Sequence, residues 1–123
     1  MNDLIIYLHI PKTGGTTLRD IVNRQYSSEN ILTIQTIDKS KKIVKTLSSN
    51  KINQLEIIQG HLAYGIHKSL IRSAKYFTIM RNPIDRVLST YYYVISQENN
   101  PQNLSNTNKT MSIYEYINSG INP

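Results

Sequence analysis

Leu4-Ile5-Ile6-Tyr7-Leu8-His9-Ile10-Pro11-Lys12-Thr13-Gly14-Gly15-Thr16-Thr17-Leu18 is the stretch on which the reading of this chain turns. Its first five residues are apolar, continuous and rich in β-branched side chains, the pattern of a central parallel strand buried on both faces. Pro11 and the pair Gly14-Gly15 end that strand. From Thr17 onward, Leu18, Ile21 and Val22 recur at helical spacing, with Arg19, Asp20, Asn23 and Arg24 on the other face. A glycine-bearing turn between strand and helix lets successive backbone N–H groups converge on one point, where the helix N-terminus adds partial positive charge. Lys12 supplies a full charge, and Thr13, Thr16 and Thr17 supply hydroxyl donors. A glycine pair alone would be only a tight turn; the whole strand–loop–helix context reads as an anion cradle. It is not the ordinary nucleoside-triphosphate loop, in which the lysine follows the glycines at the helix start. Here the lysine precedes them, and no apolar strand ends in an Asp placed to hold a metal. The loop reads as built for an anion transferred without magnesium, and no metal site is expected.

Outward from this loop, strands and helices alternate. Tyr76 to Met80 repeats the buried-strand pattern and stops at Arg81-Asn82-Pro83; Glu56 to Gln59 and Ile31 to Ile34 are weaker strand candidates. Lys41 to Leu47 and Ile66 to Ile71 read as helical. The best-marked helix starts after Asn82, which can cap it, with Pro83 at the first helical position and Asp85 at the positive end. Its Ile84, Val87, Leu88, Tyr91 and Ile95 form a stripe that predicts a core face. The alternation indicates an α/β fold with a central parallel β-sheet flanked by helices. Residues 99–110 are polar and rich in Asn, Ser and Thr, reading as a loop between a core at 1–98 and a short helix with the chain end at 111–123. The triplets at Asn103 and Asn108 have the glycosylation pattern, which arises easily in such composition.

Composition narrows the function classes. The 123 residues carry 14 Lys+Arg against 8 Asp+Glu, a net charge of +6, so an anionic partner is favoured. The basic residues are spread along the chain apart from a loose cluster at Lys39 to Lys45, which argues against nucleic acid as that partner. With 0 Cys there is no disulfide framework, thiolate zinc site or cysteine nucleophile. The longest apolar run is far short of the ~20 residues a membrane span needs. The acidic start lacks a signal peptide's basic head, so a cytoplasmic location without a membrane span is expected.

Two further features carry chemistry. Arg81-Asn82-Pro83-Ile84-Asp85-Arg86-Val87-Leu88-Ser89 follows a predicted strand, at the end of a parallel sheet where such folds hold ligands. Arg86, Ser89 and Tyr93 share a helix face, and Arg81 with Ser89 are candidates for a second phosphate; singly, each reads as an ordinary surface residue. Gly60-His61 closes another strand. A histidine there can face the cleft, and its ordinary pKa of ~6.5 suits a general base, although packing at a loop is an equal reading. His9 is expected to pack beside the cradle, His67 to lie on the surface with Lys68, and Tyr91 to Tyr93 to divide between core and helix surface.

Taken together these residues resemble the sulfotransferases that use 3′-phosphoadenosine 5′-phosphosulfate (PAPS), in particular the branch of carbohydrate and heparan-sulfate 2-O-sulfotransferases and their bacterial relatives. His9 to Thr17 looks like that family's 5′-phosphosulfate loop. Arg81 to Ser89 looks like its 3′-phosphate motif, and Gly60-His61 is similar to the segment carrying the base in the uronyl 2-O group, which has a second histidine where this chain has Gln59. The resemblance implies a P-loop-type three-layer fold and sulfuryl transfer from PAPS to an acceptor hydroxyl, with a carbohydrate as one acceptor class. It implies donor binding by Pro11, Lys12, Thr13, Gly14, Gly15, Thr16, Thr17, Arg81 and Ser89, with Lys12 and His61 catalytic. It also implies that the family domain continues past the 3′-phosphate helix, so the chain is expected to hold the donor-binding part of an incomplete domain. An inactive nucleotide-binding module and a small-molecule kinase are the competing readings.

Overall fold

The computed structural model describes residues 2–96 and 111–120. Four strands, β1 (Leu4–Leu8), β2 (Ile31–Ile34), β3 (Ile57–Gly60) and β4 (Ala74–Thr78), form one sheet in the order β2-β3-β1-β4. Every pairing is parallel, with Ile6 opposite both Ile58 and Tyr76, and Leu32 opposite Ile58. Parallel neighbours need crossovers, and helices supply them: α1 (Gly15–Gln25) after β1, and α2 (Ile37–Lys45) with α3 (Ser49–Gln54) after β2. A short 3-10 turn at Ile66–Ser69 lies between β3 and β4. The α/β architecture expected from the alternation is the one observed.

The two sheet faces differ. Leu4, Ile6, Ile34 and Ile58 project to one side and form the core with Val44 of α2, Ile52 of α3, Leu55, Leu62, Ile66 and Leu70. The opposite face carries Thr33, Gln59, Tyr7 and Phe77, which the register places in one row across β2, β3, β1 and β4. Residues from the start of α1 wall a pocket with part of that row. Helices therefore lie on both faces, and the second face is polar where it approaches the α1 N-terminus.

The chain divides into two compact units, up to Met80 and from Arg81. In the second, α4 (Pro83–Ser96) meets α5 (Ile113–Asn118), where Tyr91 donates its hydroxyl to the Met111 carbonyl at 2.8 Å and its ring lies 5.6 Å from that of Tyr116. Ser112 caps α5 in a reciprocal capping box with Glu115.

Several local expectations are corrected. The apolar run Tyr76 to Met80 predicted a strand, but pairing with β1 starts it at Ala74 and ends it at Thr78. The Ile84 stripe predicted a core face on α4; Ile84 is 71% exposed, and it lines an open apolar groove with Pro83, Val87, Leu88, Ile113 and Ile117. Buried in its place is Thr90, whose hydroxyl donates to the Arg86 carbonyl at 2.9 Å. His67 is half-buried, because its ring and backbone N–H both meet the Tyr76 hydroxyl, at 2.9 and 3.1 Å. The predicted loop at 99–110, with Asn103 and Asn108, lies outside the described residues.

Candidate active site

Beyond Leu8 the chain turns through Lys12, at φ 65°, and Gly14, at φ 86°. A non-glycine residue in the left-handed region is uncommon and concentrates at ligand sites. Thr13 is buried and donates its hydroxyl to the Ile10 carbonyl at 2.7 Å. That hydroxyl proton, expected to face an anion, instead folds the loop, leaving the exposed Thr16 and Thr17 as the hydroxyl donors at the helix start. Pro11 and Lys12 are half-buried within the same turn.

The first helical bond of α1 runs from the Leu18 N–H to the Gly14 carbonyl at 3.1 Å, so the N–H groups of Gly15, Thr16 and Thr17 precede the ladder. No side chain caps them, and no acidic residue stands in the first turn. The positive end of the helix is thus not offset by a capping side chain or a first-turn carboxylate.

The ladder also extends past the strands. His9 donates its N–H to the Gly60 carbonyl, and His61 donates its own to the Ile34 carbonyl, both at 2.9 Å. These bonds set the two imidazoles side by side, ring centroids 4.8 Å apart and tilted by 31°. Gly60, at φ 126°, is required here, since a Cβ would stand 2.0 Å from the Ile34 carbonyl oxygen. Burial, then the neighbouring His61, then Arg19 push the His9 imidazole below its ordinary pKa, which favours its neutral form. His9 also fills the space beside Gly15, where a Cβ would lie 1.9 Å from its Nε2.

One pocket joins these features. It is lined by Tyr7, His9, Gly15, Arg19, Gln59 and His61, among others. The start of α1, through Gly15 and Thr16, and His61 therefore share one corner of the first unit, whereas Pro11, Lys12, Thr13 and Gly14 do not line this pocket.

Arg81 and Ser89 belong to the second unit. Arg81 is exposed, three residues after β4 ends, and Ser89 is half-buried on α4. Asn82 caps α4 as expected, accepting at Oδ1 from the N–H groups of Ile84 at 2.9 Å and Asp85 at 3.4 Å.

A family model described as "Sulfotransferase family" matches residues 2–120. The chain belongs to the sulfotransferase family. No curated protein and no solved structure matches it. For a sulfotransferase the chemistry to be housed is sulfuryl transfer, and a helix N-terminus without caps or acids suits a transferring anion. Sequence reasoning about this sulfotransferase passed over Tyr7 and Arg19 in the pocket, and noted Gln59 only as standing in place of a second histidine. The available signal was period two: residues 7 and 9, and 59 and 61, alternate on the same strand faces. Among the described residues of the sulfotransferase no helix is long and apolar enough to cross a membrane.

Proposed function

We propose that the chain transfers a sulfuryl group from PAPS to an acceptor hydroxyl by in-line displacement, with a carbohydrate as the acceptor class. The observation that carries this reading is the open α1 N-terminus beside His61 in a chain of the sulfotransferase family. The residues present fit the donor: the Lys12–Gly14 turn offers backbone amides with a lysine, and carboxylates are absent from the loop and first turn. PAPS, when bound, supplies the sulfuryl group and a nucleotide leaving group.

The amides from Thr13 to Thr17 hold the 5′-phosphosulfate end, with Pro11 shaping the turn. Lys12 balances negative charge that grows on the bridging oxygen as the sulfur–oxygen bond breaks. Losing one such preorganised donor costs ~10²–10³ in rate. His61 takes the acceptor proton as the new oxygen–sulfur bond forms, a role worth ~10²–10⁴. Arg81 and Ser89 read the 3′-phosphate, the group that separates this donor from ATP. As in phosphoryl transfer, the protein's work is mainly positioning and charge stabilisation.

The test pairs calorimetry using 3′-phosphoadenosine 5′-phosphate with a labelled-sulfate transfer assay. Wild type is expected to bind the nucleotide and transfer; Lys12→Ala and Arg81→Ala are expected to abolish transfer. Binding without transfer would favour a nucleotide-binding module, and substantial activity in either variant would overturn the assignment.

A further inference from the structure

The polar row on the second sheet face contains two side chains that the fold buries and leaves unpaired. Gln59 and Tyr7 are each 2% exposed, yet Gln59 Oε1 and Tyr7 Oη have no hydrogen-bond partner, and both residues line the pocket that contains His61. Burial raises the Tyr7 hydroxyl above its ordinary pKa and Thr13 acts against that rise, without reaching it in a hydrogen bond of normal geometry. A buried polar atom without a partner costs roughly 1–3 kcal/mol. Two around one pocket mark a surface shaped for something else.

The row is held in place. Gln59 Nε2 donates to Thr33 Oγ1 at 3.2 Å, and Gln59 sits between Thr33 and Tyr7 in the sheet register. The Tyr7 ring stacks on Phe77 at 4.8 Å, which fixes it from the other side. One step further along the strands, on the same face, come His9 and His61. The unpaired atoms thus lie one strand step below the imidazole assigned as base. They are neutral, and an amide oxygen repels an anion while accepting from a hydroxyl. This floor is chemically distinct from the anion cradle at the α1 N-terminus.

We propose that Gln59 and Tyr7 are specificity-determining residues that bind a second, neighbouring hydroxyl of the acceptor and so select which hydroxyl meets His61. The inference rests on the reading above of this corner as a sulfuryl-acceptor site. An acceptor with two adjacent hydroxyls satisfies the buried atoms and presents its other oxygen to the base. An acceptor with one hydroxyl leaves them unpaired and loses affinity accordingly. Rejection of a partner lacking the expected donor is how buried polar sites discriminate.

The test uses the 123-residue chain and two probes, cis-1,2-cyclohexanediol and cis-2-methoxycyclohexanol. The second keeps both oxygens and loses one donor. Affinities are read by saturation-transfer NMR with and without 3′-phosphoadenosine 5′-phosphate. Wild type is expected to prefer the diol about tenfold, the loss of one hydrogen bond to a buried group. Gln59→Met, which conserves volume, is expected to bring that ratio near one. Tyr7→Phe removes only a hydroxyl that donates to the oxygen both probes keep, and is expected to weaken both several-fold at an unchanged ratio with the fold intact. Equal affinities in wild type, no binding of either probe, an unchanged ratio in Gln59→Met, or unchanged affinities in Tyr7→Phe would overturn the proposal. The nucleotide titration separates the layers. A diol preference without nucleotide binding would defeat the donor reading alone, whereas nucleotide binding without a diol preference would defeat this one alone.

Discussion

At the scale of single residues, His9 and Gly15 fix each other. The Cβ of an alanine at position 15 would lie 1.9 Å from His9 Nε2, inside any permitted contact, so Gly15→Ala must push the imidazole away. Overpacking of this kind costs about 1–3 kcal/mol. Gly15→Ala combined with His9→Ala is expected to recover most of that loss, a non-additivity that denaturant melts of the four-member cycle would measure. Equal costs with and without His9 would exclude the contact as the cause. Gly14 differs: nothing lies within 4 Å of its Cβ position, and only its φ of 86° resists substitution. His9 also gives the fold a pH dependence. Its folded pKa lies below the unfolded value of ~6.5, so between those values the unfolded chain binds the extra proton. Stability is therefore full above about pH 6.5 and falls as the pH drops through the folded pKa, reaching a lower plateau beneath it. Thermal melts from pH 8 to 5 are expected to show that decline, and His9→Gln is expected to flatten it. Asp3, held below the ordinary carboxylate range by its hydrogen bonds to Lys75 and Ser73 and by the Lys75 charge, acts in the same direction but in a separate window, below about pH 4.

At the scale of elements, one arginine ties the strand starts together. Arg72 donates from Nε and Nη2 to the Asn2 carbonyl, at 3.2 and 2.6 Å, and from Nη1 to the carbonyls of Ile52, Asn53 and Leu55. It thus joins the chain entering β1 to the end of α3 and the approach to β3. Lysine keeps the charge without the planar fork. Arg72→Lys is expected to cost about 1.5–3 kcal/mol in denaturant melts, and a loss below about 0.5 would show the fork to be dispensable. On α4 the expectation runs the other way. Ile84→Lys in a core stripe would be severe, but at 71% exposure it is expected to stay within about 0.5 kcal/mol of wild type. These cases show what the sequence made legible. The β1–loop–α1 unit, the Asn82 cap and the sheet class are local, written in neighbouring residues, and all were readable. The β4 boundaries were not, because pairing Leu4 with Ala74 sets them and the apolar run does not. Short α3 carries little periodicity and was missed; its Ser48 cap, accepting from the Lys51 N–H, is its clearest mark. In the candidate site, the turn at Lys12 and Gly14 and the placing of Gly15 and His61 at one pocket agree with the strand–loop–helix pattern, while the roles of these residues stay proposals. The position of Gln59 was marked by the resemblance, but its burial beside Tyr7 was not legible, since glutamine is usually solvated and only the cross-strand register shows it there.

At the scale of the whole molecule, a net charge of +6 acts on stability and on binding with opposite signs. Within the folded chain the excess positive charges repel one another, and compaction brings them closer than the unfolded state does. The surrounding ions screen that repulsion over a Debye length of ~10 Å at 0.1 M and ~3 Å at 1 M. Added salt should therefore raise the melting temperature modestly. The core that resists unfolding is apolar, built on Leu4, Ile6, Ile34 and Ile58, so salt does not remove its main support. Binding of the polyanionic nucleotide proposed above would depend on the same positive field, and there screening would remove attraction. Raising NaCl from about 0.05 to 0.5 M is thus expected to increase the melting temperature by a few degrees while weakening 3′-phosphoadenosine 5′-phosphate by about tenfold or more. Lys12→Ala should flatten the salt dependence of binding without changing that of melting, because one lysine at the cradle contributes to the first far more than to the second. Differential scanning calorimetry and titration calorimetry on the same samples would decide it. If both quantities move in the same direction, long-range charge is not what draws the nucleotide in, and hydrogen bonding by the loop amides would have to carry the affinity instead.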